Sequence, residues 1–234
     1  MTTENEAPDA APAGAGADPS RVSGQRLIAK TSVVSGMTLL SRILGLVRDV
    51  VFARFFGASL VMDAFLVANR IPNMLRRFFA EGAFSQGFVP VMARYRERHD
   101  HEDAREFVDA VAGTFGLILF LVTLAGVVAA PLLVAIVAPG FIGEDGRFEL
   151  ATLMLRFTFP YLFFVSLTAF AGGILNTYGR FGVPAFTPVI LNVVLIAAAV
   201  WLSPKLEEPG MALAYAVFIA GLCQLLFQVP FLMR

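Results

Sequence analysis

An all-α integral membrane protein built as a lobe of six transmembrane helices is predicted from three features. Of the 234 residues, 57% are hydrophobic and 15% charged, with a mean hydropathy of +0.73; a water-soluble surface needs more polar residues than that. The apolar residues come in long runs rather than short alternating ones. Such runs enter lipid as helices, because the bilayer core offers no partner to an exposed backbone N–H or C=O. Basic residues gather between alternate runs, as in the cytoplasmic loops of multi-pass proteins.

Residues 1–20, MTTENEAPDAAPAGAGADPS, contain no Lys or Arg and no apolar period. Residues 1–30 are therefore predicted to be a disordered cytoplasmic tail. They lack the basic start, short apolar core and cleavage site of a secretory signal. Apolar segments follow near 33–56, 59–92, 107–138, 150–176, 183–202 and 211–233, together a lobe over 31–234. The second exceeds the roughly 20 residues that cross a bilayer. Pro72, Gly82 and Gly87 predict a helix bent or broken partway, its lower part along or beyond the inner interface. The third run is expected to project past the lipid. Pro160, Pro184 and Pro188 read as bends or helix starts, and Gly172-Gly173 as a site of close helix packing.

With the N-terminus inside, the inner flanks hold Arg21, Arg26, Lys30, Arg94, Arg96, Arg98, Arg105, Arg180 and Arg234, and the outer flanks Arg54, Arg147 and Lys205. Both termini are thus expected in the cytoplasm. Trp201 falls at the outer end of the fifth span, where an interfacial anchor belongs. Net charge is zero, so overall charge names no partner, and the single Cys223 excludes an internal disulfide.

Charges inside the first two spans are the informative feature. An Arg or Asp near the middle of a span costs about 2.5–3.5 kcal/mol on insertion scales, so such side chains face protein or water. In the first span, at about 100° per residue, Arg42, Gly45 and Asp49 fall near one face with Arg48 beside it. In the second, Asp63, Arg70, Arg77 and Glu81 recur at helical spacing, while Asn73 and Arg76 lie off that stripe and widen it. Two such polar sides facing one another predict a hydrated cavity. Ion pairs that lock the bundle are the alternative, joining Arg48 or Arg42 to Asp63 and Arg77 to Glu81. Between residues 42 and 81, however, Arg42, Arg48, Arg70, Arg76 and Arg77 outnumber Asp49, Asp63 and Glu81. That surplus of positive charge favours a visiting anion, and the planar arginine fork suits a phosphate. Asn192, Gln224 and Gln228 in later spans are expected to be interhelical hydrogen-bond partners. Arg54 and Arg156 are expected to snorkel toward headgroups.

The sequence contains no Gly-x-x-x-x-Gly-Lys-Ser/Thr loop and no Gly-x-Ser-x-Gly elbow. His99 and His101 lie in a charged inner loop, and a solvated loop is favoured over a metal site there. No metal, cofactor or catalytic group is expected, so the chain reads as a transporter or binder rather than an enzyme. Its basic inner loop suits anionic bilayer lipids rather than nucleic acid.

SRILGLVRDVVFARFFGASLVMDAFLVANRIPNMLRRFFAEGAFSQGFVPV, residues 41–91, resembles the start of the MurJ (MviN) family of lipid II flippases, in the multidrug/oligosaccharidyl-lipid/polysaccharide exporter superfamily. APGF at 138–141, FPYLFFVSL at 159–167 and GGILNTYGRFGVPAFTPVILN at 172–192 continue the resemblance, which covers about residues 30–234. It implies a bacterial inner-membrane flippase for cell-wall synthesis. Such a protein carries the undecaprenyl-pyrophosphate-linked peptidoglycan precursor from inner to outer leaflet by alternating access, driven by membrane potential or an ion gradient. An exporter of another polyprenyl-linked glycan or of a drug, and a non-transporting scaffold, are the alternatives. Carried over by position, the family's cavity arginines match Arg42, Arg48 and Arg76, and its acidic position on the second span matches Asp63. Glu81 and Gly82 match a motif assigned to the inner gate. The family has a second six-helix lobe plus two further helices, and this chain stops after the first lobe. It is therefore expected to be a fragment, or to pair with another chain that supplies the C-terminal lobe.

Overall fold

A computed structural model describes residues 19–78, 90–91, 101–143 and 146–233. The described residues form helices and turns with no strand: α1 (Pro19–Phe55), α2 (Leu60–Arg76), α3 (His101–Val128), α4 (Ala130–Val137), α5 (Arg147–Thr158), α6 (Tyr161–Thr177), α7 (Gly182–Ala197) and α8 (Met211–Leu232). A π-helical segment, Ala198–Leu202, prolongs α7. Among the described residues, four stretches are long and apolar enough to cross a membrane: Glu106–Val128, Arg147–Thr177, Gly182–Lys205 and Met211–Leu232. α1 differs from them through charge, carrying Arg42, Arg48 and Asp49, and α2 through both charge and length, carrying Asp63, Arg70 and Arg76 in 17 residues.

Several boundaries differ from expectation. α1 begins at Pro19, so residues 19–30, assigned to the tail, are helical; Arg21, Arg26 and Lys30 are good helix formers that extend a helix already nucleated. The third run breaks at Ala129, where Pro131 cannot donate an in-helix hydrogen bond, and continues as α4. The fourth is two helices, because Pro160 ends α5 and caps α6. Gly82, Gly87 and Glu81, expected at a break in the second run, lie outside the described residues, as does His99.

α2 starts cleanly: Gly57 turns the chain at φ +57°, and Ser59 Oγ accepts from the Met62 N–H at 3.3 Å. Pro72 does not break it. A proline leaves the carbonyl four residues earlier without its donor, here Ala68 O, and the Thr158 hydroxyl of α5 donates to that oxygen at 3.0 Å. The same device recurs in α7, where Thr187 Oγ1 donates at 2.7 Å to Pro184 O, the carbonyl orphaned by Pro188. Thr158 is fully buried. Thr158→Val should therefore lower stability by about 1–3 kcal/mol, the cost of stranding a buried carbonyl; thermal unfolding in detergent would show it, and an unchanged midpoint would refute the account.

The helices form an arc. α1 packs on α7, α7 on α8, α8 on α6 and α5, and α2 closes the far end against α5 and α6. The main core lies among α2, α4, α5, α6 and α8, around the fully buried Phe65, Met154, Leu155, Phe159, Leu162 and Leu213. A smaller cluster of Phe115 and Leu119 with Phe170 and Ile174 fastens α3 to α6. Gly126 lets α3 approach the Phe159 ring, and Gly172 lets α6 approach Pro184, as expected for that glycine. Leu117, Ile118, Phe120, Leu121, Leu124 and Val128 remain exposed on α3, an apolar surface suited to lipid.

Candidate functional site

α1 and α2 are the two ends of the arc. They touch where the Phe52 and Phe65 rings meet edge to face at 5.9 Å, and elsewhere the described residues do not pack them together. Helices joined at one end and unpacked beyond it leave an open gap between them, referred to below as the α1–α2 cleft.

Three strips run along α1. Ser41, Leu44, Gly45, Arg48 and Phe52 are buried or half-buried against the bundle, mainly α7. Thr38, Arg42 and Asp49 form an exposed polar strip on the flank of that seam nearer Phe52, while Leu40, Ile43, Val47 and Val50 occupy the opposite flank. On α2, Phe65 lies on one stripe with Asn69 and Arg76, within about 40° of one another, and Asn73 sits beside it. Since Phe65 touches α1, this stripe borders the cleft. Asn69, Asn73 and Arg76 are half-buried. Asn73 Nδ2 donates to Asn69 O at 2.8 Å, which holds that amide along the helix.

Asp63, Arg70 and Arg77 share a stripe as their spacing predicted, and all three are exposed. It points away from the buried Ala64, Ala68 and Ile71, however, rather than toward α1. The expected facing of the two polar sides is thus corrected: the side of α2 nearest α1 is the one carrying Asn69 and Arg76. Arg42, Arg70 and Arg77 have no ion-pair partner among the described residues.

Arg48 is the most tightly held charge. Its Nε and Nη2 donate to Asp49 Oδ1 at 3.0 and 2.7 Å, its Nη1 donates to Asn192 Oδ1 at 3.1 Å, and its guanidinium lies 5.9 Å from the Phe52 ring centre. Asp49 is thus the local counter-charge. Asn192 Nδ2 in turn donates to Ser41 O at 3.0 Å, bearing out its reading as an interhelical partner. Gln224 is another, donating to Thr187 O at 2.8 Å.

The Asp63 pair with Arg48 or Arg42, which belonged to the alternative reading of a bundle locked by ion pairs, does not form among the described residues. Asp63 Oδ2 lies 3.9 Å from Nη2 of Arg147, whose guanidinium also sits 5.3 Å from the Phe141 ring centre. The reason is level: Asp63 begins α2 and Arg147 begins α5, packed parallel neighbours whose first turns lie side by side, whereas Arg48 is drawn to α7. Sequence reading placed Arg147 only as an outer-flank residue; its position opening a span just as Asp63 does was the signal. Arg54 and Arg156 are exposed, in keeping with snorkelling. Glu81 lies outside the described residues.

The family model for the lipid II flippase MurJ matches residues 52–234. The chain belongs to the MurJ family. It is 51% identical over 203 residues to a probable lipid II flippase MurJ of Haemophilus influenzae, a match covering 84% of this chain and 40% of that one. It is 49% identical to a probable lipid II flippase MurJ of Vibrio cholerae, covering 90% and 41% respectively. A solved lipid II flippase MurJ in an inward closed conformation superposes with a TM-score of 0.70 at 31% identity, covering 84% of this chain and 41% of that one. The chain thus spans about 40% of the length of these MurJ relatives, in line with a single lobe. MurJ relatives are named as flippases, so the family is one of transporters in the membrane.

Proposed function

We propose that the chain is the N-terminal lobe of a lipid II flippase of the bacterial inner membrane. In this reading the α1–α2 cleft forms one wall of the path along which the undecaprenyl-linked pyrophosphate crosses from inner to outer leaflet. It rocks against a C-terminal lobe in alternating access. The observation that carries it is the cleft itself: Arg42, Arg48 and Arg76 border it, with Asp49 as the only acid on its polar strips among the described residues. Measured along each helix from the Phe52–Phe65 contact, Arg42 and Arg76 lie at about 15 and 17 Å, a comparable depth on opposite walls. Two arginines at one depth suit a diphosphate, whose charge they share through fork-like hydrogen bonds. Arg48, nearer the contact and offset by Asp49, supplies a weaker cationic step beyond them.

Six crossings with both termini cytoplasmic belong to the same proposal, α1 and α2 entering with their charges turned to the cleft. So do the assignment as a transporter rather than an enzyme and coupling to membrane potential or an ion gradient. The test is flipping of labelled lipid II by the full-length protein in vesicles. Arg48→Ala, with expression and folding intact, is expected to cut the rate at least about tenfold, the scale of one charge-assisted phosphate contact; an unaltered rate would remove Arg48 from the path.

A further inference from the structure

We infer that Asn192 of α7 is a positioning residue for the anion path, acting through Arg48; this rests on the function proposed above. Asn192 is only 6% exposed, and both ends of its amide are engaged, the oxygen by Arg48 Nη1 and the nitrogen by Ser41 O. One side chain on one helix thus fixes both the backbone and the guanidinium of its neighbour, seven residues apart, about two turns of α1.

Gly45 lies between the two contacts. A Cβ there would stand 3.9 Å from Asn192 Nδ2, an ordinary van der Waals distance, so the amide lies directly over this residue as it spans them. The pairing also selects an orientation for Arg48. With Asp49 Oδ1 holding Nε and Nη2, the guanidinium could still turn about its long stem with its neighbour carboxylate, which is exposed and tethered only at its own Cα. Asn192 supplies the third point, on the Nη1 side, that stops that rotation. The guanidinium plane is then set by α7, and the N–H donors that these bonds leave over have one fixed direction toward an incoming phosphate.

Among the described residues, only Asp49 and Asn192 hydrogen-bond the Arg48 guanidinium, and the Phe52 ring lies against it at 5.9 Å without fixing its donors. The segment of α7 facing α1 carries no acid or base, and the only charged group bonded to Arg48 among the described residues is Asp49. Asn192 therefore adjusts Arg48 without changing the charge of the site. A neutral amide does this where a carboxylate would not, since a second acid would occupy the guanidinium permanently and weaken its hold on a ligand.

The inference is tested by binding of undecaprenyl pyrophosphate to the full-length protein in nanodiscs, with a double-mutant cycle. Asn192→Leu, similar in volume and unable to make either bond, is expected to weaken binding about tenfold, and Arg48→Gln to weaken it at least as much. In the Arg48→Gln background, Asn192→Leu should cause no further loss, because the residue it orients is gone. Equal further loss in that background would show a general packing role and overturn the inference; so would full binding by Asn192→Leu while Arg48→Gln fails. If Arg48→Gln itself binds normally, the functional reading fails first and the inference with it. Should Asn192→Leu fold poorly, Asn192→Asp replaces it. Its carboxylate keeps a partner in Arg48 and should preserve folding, yet it should weaken binding at least as much as Leu; wild-type binding by Asn192→Asp would also overturn the inference.

Discussion

Arg76→Ala in the full-length protein is expected, on the function proposed above, to slow lipid II flipping by about tenfold or more relative to Arg70→Ala, although the two arginines are only six residues apart on α2. Arg76 shares the cleft-facing stripe with Phe65 and Asn69 and is half-buried. Arg70 lies about 120° around the helix from it, with Asp63 and Arg77, exposed. A phosphate held between the helices can reach Arg76, and losing a charge-assisted contact from a partly dehydrated site costs about 1.5–3 kcal/mol. An exposed arginine gives up far less, because water replaces its partner. Rates in proteoliposomes, corrected for the amount of folded protein, decide the matter. Equal losses at both positions would mean that the two stripes of α2 are equally used and that the cleft is wrongly placed.

The largest stability effect is expected where α3 crosses the junction of α5 and α6. Phe159 is 1% exposed and sits against Gly126, where any Cβ would overlap the ring. Phe159→Ala should cost about 3–5 kcal/mol through the cavity it leaves. Gly126→Val should cost about 1–3 kcal/mol by forcing the ring out of its rotamer and the helices apart. The double variant should be less destabilised than the sum, since the valine methyls enter the space the ring vacated. Thermal melts of the four proteins in one detergent measure this. Strict additivity would mean that the two residues do not share the space the geometry assigns them.

The helical, membrane-spanning class was readable because it depends on quantities summed along the chain: hydropathy, run length and the absence of strand alternation. The Asp49 partner of Arg48 was readable because it is adjacent in sequence, and Asn192 was readable as an interhelical partner because a lone amide in an apolar span needs one. The position of Arg76 was not readable from periodicity. Spacing assigns residues to stripes on one helix but does not say which stripe meets a neighbour; Arg70 and Arg77 make the more regular pattern, and only the Phe52–Phe65 contact shows which side of α2 turns toward α1. Resemblance to the MurJ family points to Arg76, and the Phe52–Phe65 contact places its stripe on the side of α2 nearer α1.

The breaks in the long runs divide the same way. Pro160 stops its helix by removing a donor and by ring clash, a local rule that its reading as a bend or helix start already used, and Pro131, inside a run read as unbroken, stops α3 by the same rule. Pro72 and Pro188 obey the same local rule yet do not stop theirs, since Thr158 and Thr187 donate to the carbonyls they orphan. Thr187 is one residue from Pro188 and is visible beside it, whereas Thr158 is 86 residues from Pro72 and reaches it only because α5 packs on α2. Composition and local spacing thus set what each segment is: a span, its charged residues and its points of weakness. Which stripe faces which, whether Asp63 meets Arg48 or Arg147, and whether a proline bends its helix were decided by packing, because each depends on a partner distant in sequence that only the folded arc brings within hydrogen-bond or ion-pair reach.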